Sequence, residues 1–319
     1  MGFSTGKELH VNVPLSRVAM DYEPKNIIAD QIAPIINVDK QSDAYSVYSI
    51  AEAYMIEEDK RAPGAEAQVI TRSVSSGTYF ANNHALKDDL PYEDIANCDA
   101  GILLTKRSSR IRYIKKKLYL NWEYRLASKV TSTSNVGSSS AVGSNWSDTA
   151  TGKSDPIGDI HTAQDNVLGS TGYFPNRVIF SRIAWRFFQN HADVITRLYG
   201  HQTSGKGRLV SVKQAAALLE VDHVYVGQAL YNTAGENQTA DLNDIWGTDV
   251  LVYYAPDQPS IEEASFMYSF RWNKLMNMNA VVHQLPRAQK EQVELGYYQD
   301  EKITGASLGF LITDVRSSV

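Results

Sequence analysis

The sequence predicts an α+β fold, and three observations carry that prediction. Apolar residues recur at helical spacing from Leu103 to about Val130, two stretches near the amino terminus alternate as strands do, and the second half interleaves short runs of both kinds. Composition agrees. Of 319 residues, 43% are apolar and 21% charged, enough for a sizeable core and far from the range of disordered chains. The 10% aromatic content, led by Tyr, favours sheet and interface over a pure helical bundle.

Residues 1 to 41 are expected to form an extended arm. Pro14, Pro24 and Pro34 punctuate it, each blocking helix and disfavouring the helical conformation in the residue before. Between them lie Ile27-Ile28, Ile32, Ile35-Ile36 and Val38. Such an arm has no core of its own, so it should lie on another surface, its own chain's or a neighbour's. Ile27, Ile28, Ile35 and Ile36 are its candidate intersubunit contacts.

Residues 43 to 52 place Tyr45 and Val47 on one face with Tyr48 and Ile50 opposed, the pattern of a strand. After the charged stretch Glu57 to Arg61 and the turn signal Pro63-Gly64, a second run extends from Gln68 to Phe80. Together they predict a long β-hairpin with Asp59, Lys60 and Arg61 at its tip. A two-stranded hairpin is marginal by itself, so a partner subunit or the parent domain must support it.

On the long helix, Ile111, Ile114, Leu118 and Trp122 share a face. Acidic residues (Asp88, Asp89, Glu93, Asp94, Asp99) precede it, and Lys106, Arg107, Arg110, Arg112, Lys115, Lys116 and Lys117 crowd its first half. Those bases oppose the helix dipole, so something should compensate them. Arg107, Arg110, Lys115, Lys116 and Lys117 are candidate contacts for an acidic partner or DNA, set against the plainer reading of a solvated helix face.

Residues 131 to 154, mostly Ser, Thr, Gly and Asn, read as a flexible connector. Asp155-Pro156 then supplies an N-cap and a proline at the first helical position, opening a helix to about Leu168 before Gly169 and Gly172. Strands are expected over 177–180, 223–228, 250–254, 266–270 and 308–315, and helices over 184–188, 192–198 and 212–219.

The longest strong apolar run, Val250 to Ala255, is far short of the roughly 20 residues a membrane helix needs. No secretory signal is recognisable, which implies synthesis in a cytoplasm. Cys98 is the sole cysteine, excluding an intramolecular disulfide framework and multi-cysteine metal sites. A net charge of −5 weighs against a histone-like or repressor-like role.

Gly200 to Gly207 has the spacing of a phosphate-binding loop, but Gly207 stands where the metal-binding hydroxyl belongs, and a helix precedes it where a strand is needed. Gly152-Lys153-Ser154 lacks the motif's first glycine, Ser147 standing there. The histidines include no pair at helical i, i+4 spacing, there is no Gly-x-Ser-x-Gly elbow, and Cys98 has no His nearby. Glu123 and Glu262 could pair in space for acid–base work. No catalytic, cofactor or metal site is expected.

The order of these pieces resembles the major capsid proteins of tailed bacteriophages, with their HK97-like fold, nearly end to end. The likeness is carried by Tyr22-Glu-Pro24 through Ala33-Pro-Ile-Ile-Asn-Val-Asp-Lys40, Trp146 with Asp155-Pro156, and Gly172-Tyr-Phe-Pro-Asn176. Trp185 with His191-Ala-Asp193, Val226-Gly-Gln-Ala229 with Asn232-Thr-Ala234, and Ile245-Trp-Gly247 complete it. Each motif alone is weak, and their order is the stronger signal.

The resemblance implies an N-arm over 1–41, an E-loop hairpin over 42–92, and a P-domain over 93–154 and 270–304 with its spine helix at about 103–130. An A-domain would take 155–269 and 305–319. It further implies a structural protein that is not an enzyme, needs no cofactor and no membrane, and assembles in the host bacterial cytoplasm into the virion. Copies would form hexamers and pentamers of an icosahedral head around double-stranded DNA, aided by a separate scaffolding protein, a portal and, as an option, a decoration protein. Because the arm-like pattern begins almost at Met1, no cleaved scaffolding extension is expected. Lys60 is placed for the lysine–asparagine cross-link some of these shells form, but no asparagine partner is evident and the cross-link is not expected. The competing readings are an encapsulin-like nanocompartment shell, another virion protein such as a tail component, and an enzyme whose catalytic groups assemble only in space.

Overall fold

The computed structural model describes residues 13–21, 26–48, 50–64, 66–70, 73–98, 102–148, 153–200, 209–235 and 238–316. Helix α1 (Val13–Asp21) and the single-turn α2 (Ala29–Ile32) lead into strand β1 (Ile35–Val38). Strands β2 (Ser42–Tyr48) and β3 (Val74–Phe80) flank a long loop that holds α3 (Ile50–Ala53). Strand β4 (Asn82–Pro91), α4 (Tyr92–Ala96), α5 (Ile102–Val130) and β5 (Ser138–Ala141) follow. Next come α6 (Pro156–Thr171), β6 (Arg177–Ser181), α7 (Arg182–Asn190), α8 (Ala192–Tyr199), α9 (Val212–Leu218) and β7 (His223–Gly227). A small hairpin, β8 (Leu230–Asn232) with β9 (Leu242–Asp244), precedes β10 (Val250–Tyr253), the long pair β11 (Met267–Leu285) and β12 (Lys290–Ile303), and β13 (Gly309–Thr313).

Two larger sheets result. One has the order β1-β11-β12-β4, with β1 parallel to β11 and the other pairs antiparallel. The other has the order β5-β13-β10-β6-β7, with its edge strands β5 and β7 parallel to their neighbours. The inner strands of the second sheet are apolar on both faces, because both faces are covered. Val178, Phe180, Val250, Val252, Phe310 and Ile312 face a core with α6 and α7, while Ile179, Leu251, Tyr253 and Leu311 face the opposite one.

Helix α5 serves both sheets. Its Ile111, Ile114 and Leu118 pack on Val293, Leu295 and Tyr297 of β12, and its Trp122, Leu126, Ala127 and Val130 pack under the five-stranded sheet. At 1.5 Å per residue this helix is about 43 Å long, enough to span both units.

The expectation of a wholly extended arm is overturned by α1. Pro14 falls in that helix's first turn, where a missing N–H deprives no intrahelical bond. At Pro34 the predicted restriction holds, since α2 ends at Ile32 and Ala33 is extended. Pro24 lies outside the described residues. The arm also lies on its own chain, with Leu15 and Ala19 buried against α5 and β1 paired to β11. Ile36 is only 7% exposed, packed with Tyr45, Tyr79 and Phe270, and Ile27, Ile28 and Ile35 are half-buried in the cluster around Trp122. All four side chains make contacts within the subunit, Ile27, Ile28 and Ile35 keeping part of their surface accessible.

The connector is likewise more ordered than its composition suggested. β5 pairs with β13, and the amides of Gly137, Val142 and Trp146 donate to the carbonyls of Ala306, Thr313 and Val315 at 2.8, 3.1 and 3.0 Å. Main-chain pairing needs no particular side chain, so a serine-rich segment can take it up. Trp146 anchors the segment, fully buried with its Nε1 donating to Asp159 at 2.7 Å. Residues 138–146 thus belong with the five-stranded sheet, and β4, expected in the hairpin segment, belongs with the four-stranded one. Residues 149–152 lie outside the described residues.

Helix α6 begins as expected, Asp155 Oδ1 accepting from the Gly158 amide at 2.9 Å, but runs through Gly169 to close on Gly172 at φ 75°.

The arm is fastened at α2. Glu123, fully buried on α5, accepts from the amides of Ile28 (2.7 Å) and Ala29 (3.2 Å) and from Trp246 Nε1 (2.7 Å). At the other end of α2, Arg177 donates to the Gln31 carbonyl at 3.0 Å and the Tyr253 hydroxyl to that of Ile32 at 3.2 Å. A single turn is unstable by itself. Here an acid holds its amino end and a cation and a phenol hold its carboxyl end, the arrangement a helix dipole favours. Burial pushes the Glu123 carboxyl up to about 7 although the three donors oppose the shift.

Two outcomes follow from these contacts. Trp146→Ala should cost about 3–5 kcal/mol in denaturant unfolding; a loss within about 0.5 kcal/mol would restore the loose-connector reading. Because the folded Glu123 carboxyl lies above its ordinary value of 4.5, its stabilisation is full below that value and lost as pH rises through about 7. That loss is about 3 kcal/mol. Unfolding curves collected across this window should show the decline in the native chain and a flatter profile in Glu123→Gln.

Candidate assembly surfaces

The β2–β3 hairpin pairs from Ser42 with Phe80 to Tyr48 with Val74, seven residues a side. It is shorter than the alternation predicted, because residues 50–53 turn helical. Its root rests on the parent sheet. Tyr45 and Tyr79 stack on Phe270 with ring centroids 5.4 and 4.6 Å apart, and the Phe80 amide donates to Asp300 at 3.1 Å.

Beyond the root the support thins to Glu52 accepting from the Ser73 amide at 2.7 Å and Tyr54 lying against Gly172. Every described residue from Glu52 to Ile70 is exposed, Asp59, Lys60 and Arg61 among them, and Pro63-Gly64 forms the expected turn with Gly64 at φ 82°. The loop's apolar side chains are exposed too: Ile56 is 100% accessible, Val69 83% and Met55 67%, with Tyr54 and Ile70 close behind. These side chains sit at the two ends of the loop, at Tyr54 to Ile56 and at Val69-Ile70, either side of the charged stretch Glu57 to Arg61. The periodicity of residues 68–80 signalled these positions but misread them as strand.

The predicted basic residues of α5 separate into two groups. Arg107 forms a bidentate pair with Glu291 of β12 at 2.8 and 3.0 Å, and Arg110 pairs with Asp88 of β4 at 2.7 Å. Lys115 is buried with its ammonium 5.2 Å from the Tyr119 ring centre. These three are engaged within the subunit. They also answer what compensates the bases near the helix start, since β4 and β12 bring carboxylates to them. Lys116 and Lys117 remain exposed, and Arg112 joins them.

The acid–base pairing considered for Glu123 and Glu262 does not form, as Glu123 is buried in the α2 clamp and Glu262 is exposed. An arrangement that sequence reading missed places Ser154 Oγ 2.9 Å from His191 Nε2, with Asp193 3.7 Å from Nδ1. It has the members of a nucleophilic triad but not its proton order. The Asp193 amide donates to Nδ1 at 3.2 Å, which leaves the ring proton on Nε2, and the Ser154 hydroxyl donates its hydrogen bond to the Asp148 carbonyl at 2.9 Å. Nε2 therefore donates to the serine and cannot deprotonate it. Burial lowers the His191 pKa, consistent with a neutral structural ring. The phosphate-loop lookalike falls, from residue 201 onward, outside the described residues. Among the described residues no group of three or more His, Cys, Asp or Glu is placed to hold a metal ion.

Comparison with known proteins places this geometry. The family model described as phage major capsid protein E matches residues 129–262, from the last turn of α5 into the loop before β11. A major capsid protein of Pseudomonas phage JBD67 is 23% identical over 314 residues, covering 94% of this chain and 95% of the relative. A crystal structure of a phage-related protein from Bordetella bronchiseptica RB50 superposes with a TM-score of 0.73 at 22% identity, over 97% of this chain and 99% of the other. The capsid of cyanophage P-SCSP1u aligns with a TM-score of 0.57 at 9% identity, over 91% and 88% of the two chains. Sequence likeness along almost the full length of a capsid relative and a shared architecture lead to one conclusion: the chain is similar to phage major capsid proteins and has their HK97-like fold.

Proposed function

We propose that this subunit closes rings of identical copies, hexamers and pentamers, into an icosahedral shell around double-stranded DNA. The observation that carries the proposal is the loop between β2 and β3, where every described residue from Glu52 to Ile70 is exposed and Ile56, Val69 and Ile70 are the most accessible large apolar side chains among the described residues. In this reading the described part of the arm (α1, α2 and β1 of residues 1–41) is fixed to its own subunit, and the E-loop (42–92) reaches across a neighbour. The P-domain (93–154 and 270–304) and A-domain (155–269 and 305–319) form the plate between them. A head-to-tail contact repeated through a fixed rotation closes a ring.

Burying an exposed Ile or Val is worth about 1.5–3 kcal/mol. Ile56, Val69 and Ile70 together then supply on the order of 5 kcal/mol per contact, weak singly and strong around a ring. Asp59, Lys60 and Arg61 would flank that contact at the neighbour's surface. A scaffolding protein and a portal complete the assembly in the bacterial cytoplasm, and the mature location is the virion.

The experiment pairs negative-stain imaging with circular dichroism. Native protein should form closed angular shells containing nucleic acid, whereas Ile56→Asp with Val69→Asp should keep its secondary structure and form none. Charged variants that assemble like the native chain would remove the loop from the contact, and a native chain that stays monomeric at high concentration would end the proposal.

A further inference from the structure

The bases of α5 are sorted by what faces them. Arg107, Arg110, Arg125 and Lys129 each lie within ion-pair reach of a carboxylate on β4 or β12. Arg112, Lys116 and Lys117 are all exposed, and among the described residues no ion pair includes them. Arg112 and Lys116 stand one turn apart on one line of the helix, and Lys117 lies about 100° round from Lys116, above Tyr113. Ser109, Tyr113, Asn121 and Tyr124, also exposed, bring no charge to that side, and the Lys117 ammonium lies 5.6 Å from the Tyr113 ring centre. The single acid of α5, Glu123, is buried about two turns beyond Lys116, its oxygens taken up by the Ile28 and Ala29 amides and Trp246 Nε1. Like charges one turn apart destabilise a helix, and acids at the same spacing would relieve them. None is present in α5, on a chain whose net charge is −5.

We infer that Arg112, Lys116 and Lys117 form a sequence-independent contact with the phosphate backbone of the enclosed DNA, so this side of α5 faces the lumen. The inference rests on the shell reading and deepens it by orienting the subunit. An acidic surface on another copy is the competing partner. The loop that reaches outward does not provide it, because Glu57, Glu58 and Asp59 are followed directly by Lys60 and Arg61. Tyrosine and amide groups among the cations also suit a sugar-phosphate surface. Three phosphate contacts imply a log–log salt dependence of about −2.7, a grip that physiological salt loosens and that does not trap a genome.

The test is fluorescence anisotropy of a short labelled DNA duplex with the unassembled full-length subunit at increasing KCl. The native chain should bind with a slope of about −2.7. The triple variant Arg112→Gln, Lys116→Gln, Lys117→Gln should lose most of the slope and affinity, while Lys60→Gln with Arg61→Gln keeps both. In negative stain the triple variant should still form shells. No binding by the native chain, or a native slope in the triple variant, would overturn the inference. So would loss of shells with DNA binding intact, which would make the surface a protein interface. A native chain that forms no shells yet binds with the expected slope would sink the assembly reading and leave the phosphate contact standing.

Discussion

The architecture depends on one helix being shared by two cores. Helix α5 gives its first half to the four-stranded sheet and its second half to the five-stranded one, so whatever sets its rotation sets both units at once. Apolar packing alone tolerates small rotations. Directional bonds at the crossing restrict them. Glu123 engages the arm and Trp246 together, and two residues on, Arg125 pairs with buried Glu301 at 2.9 Å and donates to the Tyr297 hydroxyl at 3.1 Å. Glu301 also accepts from Gln299 at 3.1 Å, and the Arg271 guanidinium lies 5.4 and 5.5 Å from the rings of Trp122 and Tyr297. Losing one partner of a buried pair costs about 3–5 kcal/mol, far more than the pair contributes relative to an apolar substitute. The value of such bonds here is geometric: they hold β11, β12, α2 and α5 in one register.

The arm shows how that constraint extends outward. A one-turn helix and a four-residue strand would not persist in water, yet α2 is bonded at both ends and β1 is paired to β11. The hairpin root is treated similarly, through Phe270, and the loop beyond it is not. Among the described residues the extended segments are therefore of two kinds, those captured by their own subunit and the hairpin loop, which is left exposed. Sequence makes them look alike, because both read as apolar groups without a core.

What was legible in the sequence follows from this. The long helix was plain because Ile111, Ile114, Leu118 and Trp122 face one way over many turns. The start of α6 was equally plain, since Asp155-Pro156 acts through local bonds. Strand β4 was missed because most of its side chains are exposed and only Leu90 is buried, leaving almost no alternation to detect. Strand β5 was missed for a related reason, its four side chains all being exposed while its backbone carries the pairing. Arg107 and Arg110 were recognised as bases needing partners, but Glu291 stands 184 residues from Arg107 and only the folded sheet brings it near. Ser154 and His191 escaped notice likewise, meeting across 37 residues.

If the chain assembles as proposed, the placement of directional and non-directional interactions acquires a reason. Rings of five and six copies differ in angle, so a contact between subunits must survive small rotations. A hydrogen-bonded ladder or a buried ion pair loses strength steeply when tilted, whereas apolar burial depends on area and hardly on orientation. The exposed loop carries Met55, Ile56, Val69 and Ile70 without regular structure, which lets it follow a neighbour that shifts. The bidentate Arg107–Glu291 pair, the Arg125–Glu301 pair and the Glu123 clamp all lie inside the subunit, where geometry is constant. A subunit with rigid bonding within and tolerant contacts without can enter either ring unchanged.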